Sequence, residues 1–493
     1  MKKDLDLQLI EKFRESLNKD KVKKTTNILF NKGILDASFN ASSNKINNNS
    51  FRTDLVGLPV EDQGMSGRCW IFAATNLIRE QLAKKFGTDD FCLSNSYLAF
   101  WDKLERANFF LESIIENIHL SITDRLFQFL IECPIEDAGQ WDMVVNLIEK
   151  YGVVPNYVMP DNFHAFNTKE INYILNWKLR EFAIKLHENK NLKEEELRNK
   201  KDEYIFEIYK ILKTFYGNPV ETFDFEYSLD KKTNSDYPYR YKDFSKQYNI
   251  EKNLTPLEFY KKFVDVKLSE FVSIINVEQD KKPFYKAYSL KYINNIIEKK
   301  SAYHINLPKS FFILLIAFEL IYNKNPVWFG SDVSWYLNKQ NGKWDDKQFD
   351  VDIILNTSFK MNKGDELSYK VSSMSHAMLL MGINYTDLNI DFYENKSTDE
   401  KTLLDQINNK ISSWKVQNSW GSYIGNWGYF TMSQSWFEKY VFQAVIKKET
   451  LLKFWKWKTN NEIKSLDEIE VINLDPWDEI GVLASNKTSI NKS

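Results

Sequence analysis

The sequence predicts an α+β protein, and three observations carry the prediction. Helical periodicity dominates the first two thirds of the chain. From Pro326 onward the pattern shifts to short apolar or aromatic runs bounded by Gly, Asn or Ser. The composition is that of a globular chain: of 493 residues, 43% are hydrophobic, 15% aromatic and 27% charged, enough to fill substantial cores. Elements of one kind followed by elements of the other read as α+β rather than as an alternating α/β fold.

In chain order, Leu7–Leu17 is an amphipathic helical stretch, and the Asn- and Ser-rich run that ends at Asn47–Ser50 is a surface loop. Ile71, Ala74, Ile78 and Leu82 recur at helical spacing, and Gly87 closes that helix. Residues 165–325 are rich in Lys, Glu, Asn, Ile and Tyr and read as an inserted helical segment. Within it Thr255-Pro256-Leu257-Glu258 is a helix start, with Thr as cap, Pro at the first position and Glu at the third. Phe311–Leu320 is apolar throughout but shorter than the ~20 residues that span a bilayer, so it reads as a buried helix. Val327–Phe329, His376–Ile383, Ser413–Gln417 and Gly428–Met432 read as strands. The expected units are 1–59 (an N-terminal arm), 60–164 (a helical lobe), 165–325 (a helical insertion), 326–450 (a β lobe) and 451–493 (a C-terminal arm and tail).

Charge excludes one broad class. The 66 basic and 68 acidic residues nearly cancel, and Lys-rich stretches are interleaved with acids, so nothing supports nucleic-acid binding. Three cysteines, Cys69, Cys92 and Cys133, describe neither a disulfide framework nor a CxxC metal pair. A reducing compartment fits them. The N-terminus has no apolar core of a signal peptide, which makes the cytoplasm the expected location.

The chemistry is concentrated in three segments. Gln63-Gly64-Met65-Ser66-Gly67-Arg68-Cys69-Trp70 runs into the helix, placing Cys69 at a helix N-terminus. There the unpaired N–H groups and the dipole favour a thiolate. A free cysteine in a helix is most often an inert buried thiol. The upstream Gln63 shifts that balance, because its amide can turn toward an oxyanion beside the Cys69 N–H. A nucleophilic thiol needs a base. Of the five histidines, His119, His187 and His304 lie in helical or charged surroundings, and His164 follows a Pro-Asp-Asn turn and is expected to be exposed. His376 opens an apolar strand that would aim its ring. Asn418, in Gln417-Asn418-Ser419-Trp420-Gly421, can accept from one imidazole N–H and fix the tautomer, with Trp420 shielding the bond.

Cys, His and Asn form the constellation of papain-like cysteine peptidases. Gln63–Ala73, Ser375-His376-Ala377-Met378 and Asn418–Gly421 resemble the branch of bleomycin hydrolase and bacterial aminopeptidase C, to which Arg68 before the cysteine also points. Asp137–Met143, Tyr151–Pro155, Pro326–Gly330 and Pro476-Trp477-Asp478 are similar to that branch as well, so the resemblance runs from about residue 50 to Ala484. It implies a two-lobed papain-like fold with a helical lobe, a β-barrel-like lobe, a long helical insertion and a C-terminal arm. Catalysis would rest on Cys69, His376 and Asn418, with Gln63 at the oxyanion and with no metal or cofactor. The resemblance further implies that Gly139, Gln140 and Trp141 wall the substrate cleft and that six copies assemble with their sites facing inward. The arm would end near Ala484 in the cleft, pairing its carboxylate with the free α-ammonium of a peptide and making the enzyme an aminopeptidase. Two departures stand out: Ala138 replaces a glycine of the branch, and a tail, Ser485–Ser493, follows the usual end. The tail raises the expectation of self-trimming near Ala484. It also keeps open an endopeptidase or dipeptidase with an unblocked cleft, and a non-catalytic binding protein on the same fold.

Overall fold

The computed structural model describes residues 4–40, 50–88, 90–228, 248–339, 341–388, 400–459 and 463–482. Two bodies of structure meet at the helix Cys69–Phe86. On one side the helices Asn95–Glu116, Arg125–Glu132, Trp141–Tyr151, Lys169–Glu188 and Glu194–Tyr216 bury a common apolar core with it. Gly87 ends the central helix in the left-handed conformation (φ 62°), as its lack of a Cβ permits.

On the other side lies a mixed sheet. Its order runs Val471–Leu474, Ala287–Leu290, Tyr303–Asn306, Phe271–Ile275, Val441–Lys447, Val327–Ser331, His376–Tyr385, Ile411–Gln417, Tyr429–Ser433, Lys343–Trp344, Leu337–Asn338. Thr53–Asp54 adds to the far end of the histidine strand, pairing with Ile383 and Gly382. The helix Lys309–Ile321 is buried along almost its whole length in the sheet's second core, as its unbroken apolar run predicts. Pro256–Phe263 is a helix whose Thr255 and Glu258 form the expected capping box. This is the α+β, papain-like arrangement of a helical lobe against a β lobe.

The helical reading of 165–325 needs correction. Lys169–Glu188 and Glu194–Tyr216 are helices, but Phe223–Ser228 and Tyr248–Leu254 form a hairpin. Phe271–Ile275, Ala287–Leu290 and Tyr303–Asn306 are strands of the main sheet. Phe271–Ile275 is buried on both faces and pairs in parallel with Tyr303–Asn306, so it lacks the polar alternation that marks a half-exposed strand. The Asn-rich run through Asn49, the junction at Ala484 and the tail Ser485–Ser493 lie outside the described residues.

Candidate active site

Cys69 is the first residue of its helix, whose opening N–H groups precede any intrahelical acceptor. The approach loop is held from both sides. The Gly67 N–H donates to Asp137 Oδ2 at 3.1 Å and the Trp70 indole to the Asp137 carbonyl at 2.6 Å. Gly64 sits at φ +62°, where a Cβ would strike the ring and carbonyl of Phe166. Asp137 is itself buried, paired with Lys103 (2.6 Å) and hydrogen-bonded by Thr168 and Asn172. Burial opposes its charge, but the lysine and these donors outweigh burial and hold its carboxyl well below the usual range.

His376 begins the strand His376–Tyr385, which packs against the cysteine's helix and pairs with Val327–Ser331 on one side and Ile411–Gln417 on the other. Its Nε2–H donates to Asn418 Oδ1 at 2.8 Å, leaving Nδ1 as the basic nitrogen. The ring stacks on Trp420 (centroids 4.9 Å apart, planes 21° apart), and only 6% of the residue is exposed. Asn418 Oδ1 also accepts the Ser419 N–H at 2.8 Å, which fixes the amide's orientation.

The two lobes are joined here. The Gln63 N–H donates to the Ser419 carbonyl (2.9 Å), the Gly421 N–H to the Glu61 carbonyl (3.0 Å), and Asp62 pairs with Trp420 in an antiparallel bridge. The cysteine's approach loop therefore runs beside Asn418–Gly421. The Gln63 amide is held at both ends. Its Oε1 accepts the Ser419 hydroxyl at 2.6 Å and its Nε2 donates to the Ser66 carbonyl at 2.5 Å. One amide hydrogen is left over for a ligand.

The structure thus brings Gln63, His376 and Asn418 to one junction, with Cys69 at the start of the helix that packs against the His376 strand. Of the cleft residues that the resemblance implies, Gly139 packs on the Trp70 ring, where a Cβ would come within 2.5 Å. Gln140 (0% exposed) caps the helix Trp141–Tyr151, and Trp141 (1%) begins it; both are buried. Among the other histidines, His304 lies inside a strand, not in helical surroundings. It is buried against Ser273 (2.8 Å), and burial lowers its pKa to about 4. His164 is half-buried against Phe215 rather than exposed. Sequence reading missed the roles of Ser66, Ser419 and Asp161; a serine beside each motif residue was the only signal. Cys92 is a free thiol beside Arg79 and Glu61 whose pKa burial pushes up to about 11.

Fold and site together define the papain-like cysteine peptidases as the class. Within it, a model of the Peptidase C1-like family matches residues 4–481, and the chain belongs to that family. It is 35% identical to aminopeptidase C of Lactobacillus delbrueckii subsp. lactis over 487 residues, covering 98% of this chain and 99% of the relative. It is also 35% identical to aminopeptidase C of Listeria innocua serovar 6a over 475 residues, covering 96% and 97%. The crystal structure of PepW from Lactobacillus rhamnosis HN001 superposes with a TM-score of 0.84 at 33% identity, covering 98% of this chain and 99% of that one.

Proposed function

We propose that the protein is a cysteine aminopeptidase that removes N-terminal residues from peptides through a thioester. The observation that carries the mechanism is the junction itself: the Nε2–Oδ1 contact of His376 and Asn418, with the cysteine's approach loop bonded to Ser419 beside it. The Cys69 thiolate attacks the scissile carbonyl carbon and its π electrons move onto oxygen, where the remaining Gln63 amide hydrogen and the Cys69 N–H receive the charge. His376, protonated at Nδ1, gives that proton to the leaving amine as the C–N bond breaks. Water then attacks the thioester with His376 taking its proton, and the thiolate leaves. Nucleophile, base and oxyanion donors are all side chains or backbone of this chain.

The exopeptidase part of the reading is supported by the relatives' names and by the docking of the C-terminal arm. Trp477 lies between Arg125, 4.1 Å from its ring centroid, and Phe129. Lys282 binds Asp478 (3.1 Å) and Glu479 (3.0 Å), and Ile480 is buried in a cluster that includes Met374, two residues ahead of His376. An arm that continues from here into the cleft would leave room for little substrate beyond the scissile bond and would favour a free α-ammonium. The length of the tail, Ser485–Ser493, supports self-trimming near Ala484. Intact mass of wild type and Cys69→Ala would show a shorter wild type only; full length in both would refute trimming.

Assembly into a homohexamer is supported by exposed apolar side chains on the N-terminal helices (Leu7, Phe13, Phe30) and on Lys169–Glu188 (Tyr173, Trp177, Ile184). Mass in solution tests it. Among the described residues no helix is long and apolar enough to cross a membrane. The cytoplasm remains the proposed location, supported by a sparse, odd set of three cysteines.

Paired fluorogenic substrates, aminoacyl and N-acetyl-aminoacyl, test the activity under reducing conditions. Cleavage of the free-amine substrate alone is expected. Cleavage of both would make the enzyme an endopeptidase with an open cleft.

A further inference from the structure

Arg68 is an unusual residue to find next to the nucleophile. Its side chain is almost wholly buried. Nη1 and Nη2 grip the Asp161 carboxylate at 3.0 and 2.6 Å, while Nε donates to the Ser66 hydroxyl at 2.9 Å. Asp161 is held in turn by the Ser96 hydroxyl at 2.5 Å. Burial opposes its charge, but the guanidinium outweighs burial and keeps it ionised.

Ser66 is where this anchor meets the oxyanion side of the site. Its hydroxyl donates to the Gln63 carbonyl at 2.6 Å, and its own carbonyl accepts from Gln63 Nε2 at 2.5 Å. The two residues close a reciprocal ring, side chain to backbone in both directions. The Ser66 hydroxyl has one proton, and an acceptor bond from the Arg68 Nε–H excludes the rotamer that turns this proton toward Arg68. Arg68 therefore favours the rotamer seen here, in which the proton points at the Gln63 carbonyl and closes the ring. With Ser419 on Oε1 and Ser66 on one Nε2 hydrogen, the Gln63 amide plane is fixed and its remaining N–H is aimed.

We propose that Arg68 is a positioning residue for the oxyanion hole, acting through Ser66 on the Gln63 amide and anchored by Asp161. A planar fork suits this task. It makes a bidentate bond to a carboxylate with two nitrogens and presents the third at a fixed angle, which an ammonium cannot do. The inference rests on the reading of Cys69 as nucleophile and Gln63 as an oxyanion donor.

The test separates two reactions of the same thiol. Amide hydrolysis passes through an oxyanion. Alkylation by iodoacetamide displaces iodide at a saturated carbon and builds none, so it reports the thiolate and its histidine alone. Gln63→Ala, Ser66→Ala and Arg68→Lys are compared in the full-length chain for kcat and KM on an aminoacyl arylamide and for the alkylation rate across pH. Gln63→Ala is expected to lose about 100-fold in kcat. Ser66→Ala and Arg68→Lys are expected to lose about 10-fold. KM and the alkylation profile should stay within about twofold, and the Ser66→Ala/Arg68→Lys double variant should lose no more than the worse single variant. Loss of kcat in Gln63→Ala but in neither of the others would overturn the role of Arg68 while leaving the oxyanion reading intact. Unchanged kcat in Gln63→Ala would overturn both. Equal loss of hydrolysis and alkylation in Arg68→Lys and Ser66→Ala would make their part merely structural and overturn the proposal. If Arg68→Lys does not fold, Ser66→Ala, which deletes one oxygen, decides by the same criteria.

Discussion

The two lobes support their halves of the site by different electrostatics. Around the cysteine, buried charges meet opposite charges: Arg68 with Asp161, Lys103 with Asp137, Arg79 with Glu61, Arg106 with Asp102. In the β lobe, where Lys282 also pairs with acids, two buried charged residues meet neutral dipoles instead. Glu319 accepts from Thr450, the Lys447 N–H, Asn323 and Asn325. Lys363 donates to Asn276 and the Val441 carbonyl, and burial lowers its pKa to about 7. The histidine, likewise, is set by an amide and an indole, both uncharged. A loop that must hold amides against a developing anion gains stiffness from ion pairs, which anchor it at fixed points. An imidazole that must both take and give a proton is better served by neutral partners, because a nearby fixed charge would bias it toward one state.

The largest expected effect tests whether the two halves act as one site. Cys69→Ala and His376→Ala should each lower kcat on an aminoacyl arylamide by about 10⁴-fold or more, and the double variant should lose little beyond either single one. Additive losses would mean that the thiol and the imidazole work separately.

Next comes the contrast in scaffolding. Asp137→Asn strands the buried Lys103 ammonium and should cost about 3 kcal/mol or more in urea unfolding. Glu319→Gln keeps the two donors on one oxygen, sets an NH2 against the other two, and should cost about 1–2 kcal/mol without stranding an opposite charge. Equal costs would erase the distinction between the lobes.

The last effect is a pH dependence. The pKa of His304 in the folded protein, about 4, lies below its ordinary value of 6.5, so between those limits the unfolded chain binds more protons. Stability from this residue is therefore lost as pH falls from about 6.5 to about 4. Thermal unfolding at pH 7 and pH 4.5 should show His304→Gln losing less stability than wild type over that interval. An equal loss in both would put the acid sensitivity elsewhere.

Much of this was legible in the chain because the signals are local. The run from Gln63 to Trp70, the capping box at Thr255 and Glu258, and the all-apolar helix at Phe311 each declare themselves within a dozen residues. What stayed hidden depends on contacts between distant positions. Asp161 looks like a turn residue until the fold delivers Arg68 to it, and Asp137 looks like a cleft residue until Lys103 and Gly67 close on it. The strands from Phe271 to Asn306 were masked for another reason: buried on both faces, Phe271–Ile275 shows no alternation, and its Lys- and Asn-rich neighbours resemble helix surfaces.

The pairing of Val471–Leu474 with Ala287–Leu290 turns the end of the chain into a measuring rod. The strands are parallel and in continuous register, Val471 opposite Ala287 through Leu474 opposite Leu290. A strand advances about 3.3 Å per residue, and only slips of two keep its side chains on the same face. A slip of this strand would therefore move everything after Leu474 in steps of about 6.6 Å, roughly the length of a dipeptide. In the proposed aminopeptidase, a two-residue slip would lengthen or shorten what the cleft admits by that step, while a single-residue slip would be resisted by the sheet.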